Sequence, residues 1–269
     1  MKQLNPNIEI RAVYPTIEHE RAAVATQNFF SGLTDVEAVN LTCSCARGKA
    51  SRDSCVDIAV WLAPDLASDD RSALEQQWHD FHKSERVFQQ LDEVGKFSFV
   101  DLDFVDGQFS IPPHGWTSGP DEFELEIGNY LVYTVPLWQR GDYFERLRSQ
   151  WLPYYDEALR QKRLKMVRGY CLNNLDHIPL YVNRDLHFQA FRRLYDAFGE
   201  FLQALFITRR TYPIAYDKWI REQIEEVLGM PELYRQLPKF FEIESFESQE
   251  IAKKASVLEH LLNEYASNA

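Results

Sequence analysis

Side chains that could do chemistry stand close together between two apolar runs, residues 39–42 and Val56–Leu62. Between the runs lie a serine, an arginine and a glycine, at Ser44, Arg47 and Gly48. The pattern predicts a strand, a tight turn into a short helix, and a second strand. The start of a helix beside the end of a strand exposes unpaired backbone N–H groups, which suit an anion. This stretch is therefore the first candidate for a binding site.

An acidic residue, Asp57, stands inside the second apolar run. A carboxylate in such surroundings needs a partner, because burial of an unpaired charge is costly. The sequence leaves two alternatives for the partner of Asp57: a bound metal ion, or Arg47 or Arg52 in a structural ion pair. Ser44 likewise either binds the anion or only caps the short helix.

The composition is that of a folded, acidic protein. The 269 residues are 45% hydrophobic and 14% aromatic, which is enough for about two domains and excludes a disordered chain. A net charge of −12 argues against general nucleic-acid binding, which favours basic surfaces. No apolar run approaches the roughly 20 residues of a membrane span, and residues 1–15 form a polar arm without a secretion signal. Because the four cysteines are too few for a secreted disulfide scaffold, we expect a cytoplasmic protein.

Helices are predicted on both sides of the candidate site. Residues 16–30 form one, which Thr16 caps and Gly32 ends. A second, longer helix is predicted over residues 71–91, where apolar residues recur on one side.

Strands are predicted further along the same half of the chain. Residues 96–105 alternate between apolar and polar, with Asp101 and Asp103 on one face. Residues 122–135 predict a pair of strands, with a turn at residues 128–129.

From residue 143 onward the periodicity is helical, with breaks at prolines and glycines. The candidate helices are residues 143–151, 154–172, 185–207, 216–228, 231–240 and 246–265. The sequence therefore predicts an α/β (α+β) domain with a mixed sheet over residues 1–141. An all-α helical-bundle domain follows over residues 142–269.

The central stretch resembles the active-site motif of the nucleotidyltransferase superfamily, which includes DNA polymerase β and kanamycin nucleotidyltransferase. The family pattern is an apolar strand, Gly-Ser, often Ala-Arg-Gly, and then Ser-Asp-x-Asp opening the next strand. Here residues 43–48 read Cys-Ser-Cys-Ala-Arg-Gly and residues 54–60 read Ser-Cys-Val-Asp-Ile-Ala-Val. Residues 209–213 (Arg-Arg-Thr-Tyr-Pro) and 218–220 (Lys-Trp-Ile) resemble the helical domain of nucleotidyltransferase-like proteins.

The resemblance implies Mg²⁺-dependent transfer of a nucleoside monophosphate from an NTP, with ATP as the first candidate. The acceptor would be a hydroxyl of a small molecule or a protein, since the acidic charge disfavours nucleic acid. Ser44, Arg47 and Gly48 would hold the phosphates. Lys218 would contact a phosphate from the helical domain, unless it is only an exposed lysine at a helix start. Asp57 would be the catalytic residue and a Mg²⁺ ligand, because carboxylates at i and i+2 of a strand share one face.

A third carboxylate from a neighbouring strand completes such a site in the family. Asp101, Asp103, Glu124 and Glu126 all lie on predicted strands. We assign the role to Glu126, which lies where a final strand of the sheet would begin.

Two residues depart from the family pattern. Cys43 replaces the glycine before the serine, and Cys55 replaces the first carboxylate. A thiol does not substitute for a carboxylate on Mg²⁺, which selects oxygen ligands, although Asp53 could help in another register. Two hypotheses follow: an active but atypical transferase, or a catalytically impaired relative that acts as a nucleotide-binding or protein-interaction module.

Other metal sites are weaker alternatives. Cys43, Cys45 and Cys55 could bind zinc, but free cysteine is commonly a small buried apolar residue. His79 and His82 lie three residues apart on one predicted helix face and could form a metal pair.

Overall fold

Four strands form one mixed sheet in the computed structural model, which describes residues 8–64 and 66–267. The strands are β1 (Val36–Leu41), β2 (Val56–Leu62), β3 (Val100–Val105) and β4 (Val135–Gln139). Their order in the sheet is β3-β2-β1-β4. β1 pairs antiparallel with both β2 and β4, whereas β2 pairs parallel with β3. Residues 1–7 of the predicted polar arm lie outside the described residues.

Helices make up most of the remaining regular structure. In chain order they are α1 (Ile17–Ser31), α2 (Cys43–Ala46), α3 (Ser68–Ser84), α4 (Arg86–Asp92), α5 (Phe123–Ile127), α6 (Tyr143–Trp151), α7 (Glu157–Val182), α8 (His187–Thr208), α9 (Pro231–Tyr234) and α10 (Glu250–Tyr265). Gly128–Val132 and Glu222–Val227 are π-helical, and Pro238–Phe241 is a 3₁₀ helix. No helix in the described ranges is long and apolar enough to cross a membrane.

The chain divides into two units. The first contains the chain up to Phe109 together with Asn129–Leu152, and the second contains Ser110–Gly128 and the chain from Pro153 onward. The predicted fold class is confirmed: a mixed sheet with helices comes first, and a helical region follows. The division itself differs from a single boundary at residue 141, because α6 belongs to the first unit and α5 to the second.

The core of the first unit lies on one face of the sheet. Val39, Leu41, Ile58 and Val60 are fully buried there, and residues of α1, α3 and α4 pack against them. The opposite face carries Trp61, which meets the rings of four aromatic residues. The apolar runs that predicted β1 and β2 are therefore buried on both faces.

Local signals predicted several elements correctly. The helix over residues 16–30 is α1, and Gly32 follows its end as predicted. Thr16 stands at the N-cap position, but its hydroxyl pairs with His19 Nδ1 at 2.9 Å and makes no capping hydrogen bond. The strand, short helix and strand of the central stretch are β1, α2 and β2. α6 has the predicted bounds.

Two elements predicted in the first half of the chain have different bounds in the structure. The helix over residues 71–91 is broken at Glu85, whose φ of −89° and ψ of 125° are extended and separate α3 from α4. The strand over residues 96–105 begins only at Val100, because residues 95–98 form a turn in which Ser98 N donates to Gly95 O.

The predicted pair of strands over residues 122–135 is wrong. Phe123 and Ile127 are four residues apart and both buried, so they occupy one face of helix α5. Glu124, one of the acids on the predicted strands, is fully buried in this helix and pairs with Arg163 of α7 at 2.6 Å. Gly128 makes no turn; a Cβ added there would lie 2.2 Å from the Pro213 carbonyl oxygen, so the backbones meet closely.

The helical half also differs from the prediction at several ends. α7 continues through Pro179 to Val182, although proline was expected to break it. The helix predicted over residues 216–228 is reduced to the π-helical turn, and residues 231–240 contain two short helices. α10 begins four residues later than predicted, at Glu250.

Buried charges join the helices of the second unit. Arg163 donates to both carboxylate oxygens of Asp121 and to both of Glu124, at 2.6 to 2.9 Å. Gln203 of α8 and the Tyr155 hydroxyl add hydrogen bonds to the same carboxylates. Removal of one partner from such a network would leave an uncompensated buried charge, so it attaches α5 firmly to α7 and α8.

Glu200 of α8 is buried without such a cation. Asn174 Nδ2 donates to its two oxygens at 3.0 and 2.8 Å, and Arg193 donates to the oxygen of Asn174 instead. Burial is the main reason why the pKa of Glu200 is raised from 4.5 to about 8. The folded protein therefore keeps a proton that the unfolded chain releases, and the free energy of unfolding falls as pH rises from about 4.5 to 8.

We expect Glu200→Gln, which mimics the protonated carboxyl group, to remove this decrease of the free energy of unfolding with pH. At pH 8 the free energy of unfolding of the variant should exceed that of the native protein by about 2–4 kcal/mol. Near pH 4.5 the two proteins should have nearly equal free energies of unfolding. Urea denaturation across this range measures the difference, with exposed Glu259→Gln as control. The same pH dependence in the native protein and both variants would contradict a protonated Glu200.

Candidate functional site

The end of the β1–β2 ladder positions the candidate site. Leu41 pairs with Ile58, and the Thr42 N–H donates to the Asp57 carbonyl oxygen at 2.9 Å. The Thr134 hydroxyl donates to the Leu41 carbonyl oxygen at 2.9 Å. Asp57 is therefore held at the last rung of the ladder, where the two strands separate around α2.

The turn from β1 into α2 is tight. Cys43 has a φ of 52°, in the left-handed region that L-amino acids rarely adopt, and Gly48 has a φ of 67°. The Ser44 carbonyl oxygen accepts from both Arg47 N and Lys49 N, at 3.3 and 3.0 Å. Cys43 thus occupies, with some strain, the position of the family's glycine.

Arg47 supports the turn from inside. It is only 5% exposed, and its Nη1 donates to the Cys43 carbonyl oxygen at 3.0 Å. This contact explains how a non-glycine residue is held at positive φ. Arg47 therefore has a structural role in the turn, and its contact with a phosphate stays a prediction.

Cys55 and Asp57 form a pair on one face at the start of β2. The Cys55 thiol donates to the two carboxylate oxygens of Asp57, at 3.2 and 3.3 Å. Burial, and then the charge of Asp57, raise the pKa of Cys55 to about 12, so the thiol stays protonated at neutral pH. The same causes raise the pKa of Cys45, whose Sγ approaches the Cys55 carbonyl oxygen at 3.7 Å, to about 12.

The neighbouring strand brings two more carboxylates to this face. In the parallel pairing of β2 with β3, Asp57 lies opposite Asp101, and Ala59 lies opposite Asp103. Residues paired in this way point to the same side of the sheet. The pKa of Asp103 is raised, mainly by desolvation; a hydrogen bond from Tyr130 lowers it and the charge of Asp101 raises it.

The loop between α2 and β2 is held from two sides. His19 Nε2 of α1 bonds the Ser54 carbonyl oxygen at 3.0 Å, and the Ser98 hydroxyl donates to the Arg52 carbonyl oxygen at 2.8 Å. Asp53 lies against Gly95, where an added Cβ would come within 2.2 Å of its Oδ1. The loop that carries Cys55 is therefore well anchored.

Two predicted site residues belong to the second unit. Lys218 is exposed, and its carbonyl oxygen accepts from Gln223 Nε2 at 3.1 Å. Glu126 is half-buried on α5, so the strand that motivated its assignment does not exist. Its role as a metal ligand stays an untested prediction, and Asp101 is the carboxylate that the sheet places opposite Asp57.

The donor set does not fit the two-metal arrangement of the family. In the part of the chain that the structure describes, no three His, Cys, Asp or Glu side chains are grouped so that they could hold a metal ion. At the position where the motif that the chain resembles has a carboxylate, Cys55 has a protonated thiol, and this thiol donates a hydrogen bond to Asp57. The same finding gives no support to a zinc site at the cysteines or at His79 and His82.

Sequence reasoning missed two features of this site. The pairing of Asp57 with Asp101 depends on a parallel register between distant segments, although the alternation that placed Asp101 and Asp103 on one face was a usable signal. The Cys55–Asp57 hydrogen bond follows from their i, i+2 spacing, which predicts that the two side chains meet.

No protein-family model and no curated protein matches the chain. Among solved structures, it is similar to a nucleotidyltransferase-like protein from Exiguobacterium sibiricum, with 14% sequence identity and a TM-score of 0.45. The similarity covers 91% of this chain and 74% of the other. At this identity and TM-score it does not indicate an activity.

The strain at Cys43 can be measured. Left-handed backbone costs an L-residue roughly 1–2 kcal/mol, and glycine avoids this cost while gaining some entropy in the unfolded chain. We expect Cys43→Gly to raise the free energy of unfolding by about 0.5–1 kcal/mol. Cys45→Gly, at a buried helical position two residues later, should lower it by at least about 1 kcal/mol. Urea denaturation of the two variants compares them; destabilisation by Cys43→Gly would contradict a strained Cys43.

Proposed function

We propose that this chain is a nucleotidyltransferase-like protein that binds a nucleoside triphosphate and transfers the nucleoside monophosphate from it poorly or not at all. The observation that carries the proposal is the hydrogen bond from the Cys55 thiol to both oxygens of Asp57. It supports a site in which the carboxylate is satisfied by the protein and no longer depends on a cation.

Binding is proposed at the turn after β1. The Ser44 hydroxyl is the contact for the phosphates, and the turn that Gly48 and Arg47 support gives the backbone its close approach. The contact of Lys218 with a phosphate stays a prediction from the sequence. ATP is the first nucleotide to test, and the proposed partner beyond it is a protein that responds to the bound state.

A second function has one observation in its favour. Asp101 lies opposite Asp57 on the same face of the sheet, so two carboxylates from neighbouring strands stand close to the turn. This supports the alternative of a working transferase that acts on a small-molecule or protein hydroxyl. The two functions differ in whether Mg²⁺ and Asp57 are needed for binding.

Calorimetric titration of each NTP, with Mg²⁺ or with a chelator, separates them. We expect ATP to bind equally well in both conditions, and Asp57→Asn, which keeps an acceptor for the Cys55 thiol, to change the affinity little. Ser44→Ala should weaken binding about tenfold through loss of a hydrogen bond to a charged group. Ser31→Ala, at the exposed end of α1, is the matched control.

Two outcomes would overturn the proposal. Binding that requires Mg²⁺ and is lost in Asp57→Asn would favour the transferase. Absence of binding by any NTP would remove the nucleotide-binding function.

The replacement of the carboxylate by Cys55 can be reversed. Cys55→Asp restores two carboxylates at i and i+2, so we expect Mg²⁺-dependent release of pyrophosphate from ATP to rise at least about a hundredfold, or about 3 kcal/mol of barrier. Cys55→Asn, of the same size but uncharged, should show no increase. Pyrophosphate release and the mass of the protein after incubation measure transfer to water and to its own side chains. If the native protein already transfers and Asp57→Asn abolishes the activity, the impaired-relative proposal is wrong.

A further inference from the structure

Among the described residues, the strand β3 forms one edge of the sheet and has no neighbouring strand on its outer side. Val56 N donates to the Phe99 carbonyl oxygen at 2.8 Å, which sets the direction of the ladder between β2 and β3. Backbone groups alternate in direction along a strand, so Asp101 and Asp103 also bond toward β2. The N–H and C=O groups of Leu102 and Phe104 consequently point away from the sheet.

The two faces of this edge differ in chemistry. Leu102 and Phe104 pack on the core side but are only half-buried, whereas their partners Ile58 and Val60 are 1% and 0% exposed. The missing neighbour on the outer side explains this difference. On the opposite face Asp101 is exposed and lies two residues from Asp103.

The other edge of the sheet is protected and β3 is not. β4 contains Pro136, which has no N–H to offer a further strand. β3 has no proline, and Phe97 and Phe99, which precede it, are 56% and 40% exposed. Unprotected edges of this kind bind extended segments of other chains.

We propose that β3 binds an extended segment of a partner protein in which apolar and basic residues alternate. The apolar side chains of such a segment would complete the burial of Leu102 and Phe104. The Lys or Arg side chains would fall on the opposite face, about 5 Å from Asp101 and Asp103. The net charge of −12 favours the approach of a basic segment from solution.

A second copy of this chain does not suit the edge. Pairing of β3 with another β3 would place carboxylates beside carboxylates, which is destabilising. Pairing with the β4 of another copy would meet Pro136 in its middle. Charge therefore selects a different protein as the partner.

The probe for this proposal is a short, acetylated and amidated peptide of alternating valine and lysine. The matched peptide has the same composition, with all valines before all lysines, so only the alternation differs. Fluorescence anisotropy measures affinity, and NMR hydrogen exchange measures individual amides. We expect the alternating peptide alone to bind specifically and to slow exchange at Leu102 and Phe104, with little effect at Asp101 and Asp103, whose amides already bond β2.

Variants test the two parts of the interaction separately. Leu102→Pro removes one outward N–H and should weaken binding about tenfold; proline is tolerated at such an edge position, and circular dichroism checks the fold. Asp101→Asn with Asp103→Asn keeps the backbone and should weaken binding about fivefold, whereas Asp69→Asn with Asp70→Asn, exposed on α3, removes equal charge and should not.

Equal affinity for the two peptides would overturn the proposal, because net charge alone would then explain the binding. Unchanged exchange at Leu102 and Phe104 would do the same. Full affinity of folded Leu102→Pro would exclude strand addition at this edge.

Discussion

Backbone pairing between β1 and β2 determines the position of the turn and of Asp57 in the candidate site. The antiparallel ladder runs to Leu41 and Ile58 and ends with the bond from Thr42 to Asp57. The chain must reverse between these points in a short distance. It does so with positive φ at Cys43 and Gly48, and the Arg47 guanidinium bonds the Cys43 carbonyl oxygen across the turn. The turn thus requires, at Cys43, a backbone conformation that glycine adopts more easily than cysteine does.

The electrostatics of β2 depend on the same geometry. Two carboxylates at i and i+2 on one face would repel each other by about 4 kcal/mol at 4 Å and an effective dielectric constant of 20, so they need a cation between them. With Cys55 in the first position, the repulsion disappears and the thiol becomes a donor to Asp57. Burial, and then the charge of Asp57, raise the pKa of this thiol to about 12 and keep it protonated. At this position a single residue therefore replaces a charge repulsion by a hydrogen bond.

The sequence predicted those parts of the structure whose signal is local. The apolar runs of β1 and β2, the turn residues between them and the flanking residues of α1 are properties of neighbouring residues. Residues 122–135 were predicted wrongly because their outcome depends on Arg163, which neutralises Glu124 only in the folded chain. The register that places Asp101 opposite Asp57 likewise arises between segments about 40 residues apart, beyond the reach of periodicity. The turn that carries Ser44 and leads to Asp57 could thus be predicted from the sequence, and their roles stay predictions. For the carboxylate beside Asp57, the sequence offered only a choice among a few acidic residues.

The protein satisfies carboxylates away from water in three different ways. Asp121 and Glu124 share the cation of Arg163, Asp57 accepts from a thiol, and Glu200 accepts from the amide of Asn174. Burial without a paired cation raises the pKa of Glu200 to about 8, so this carboxyl group binds a proton near neutral pH. At the candidate site it is the donor, Cys55, whose pKa is raised to about 12, by burial and then by the charge of Asp57. The thiol should consequently stay protonated across the whole pH range in which the helical unit loses stability.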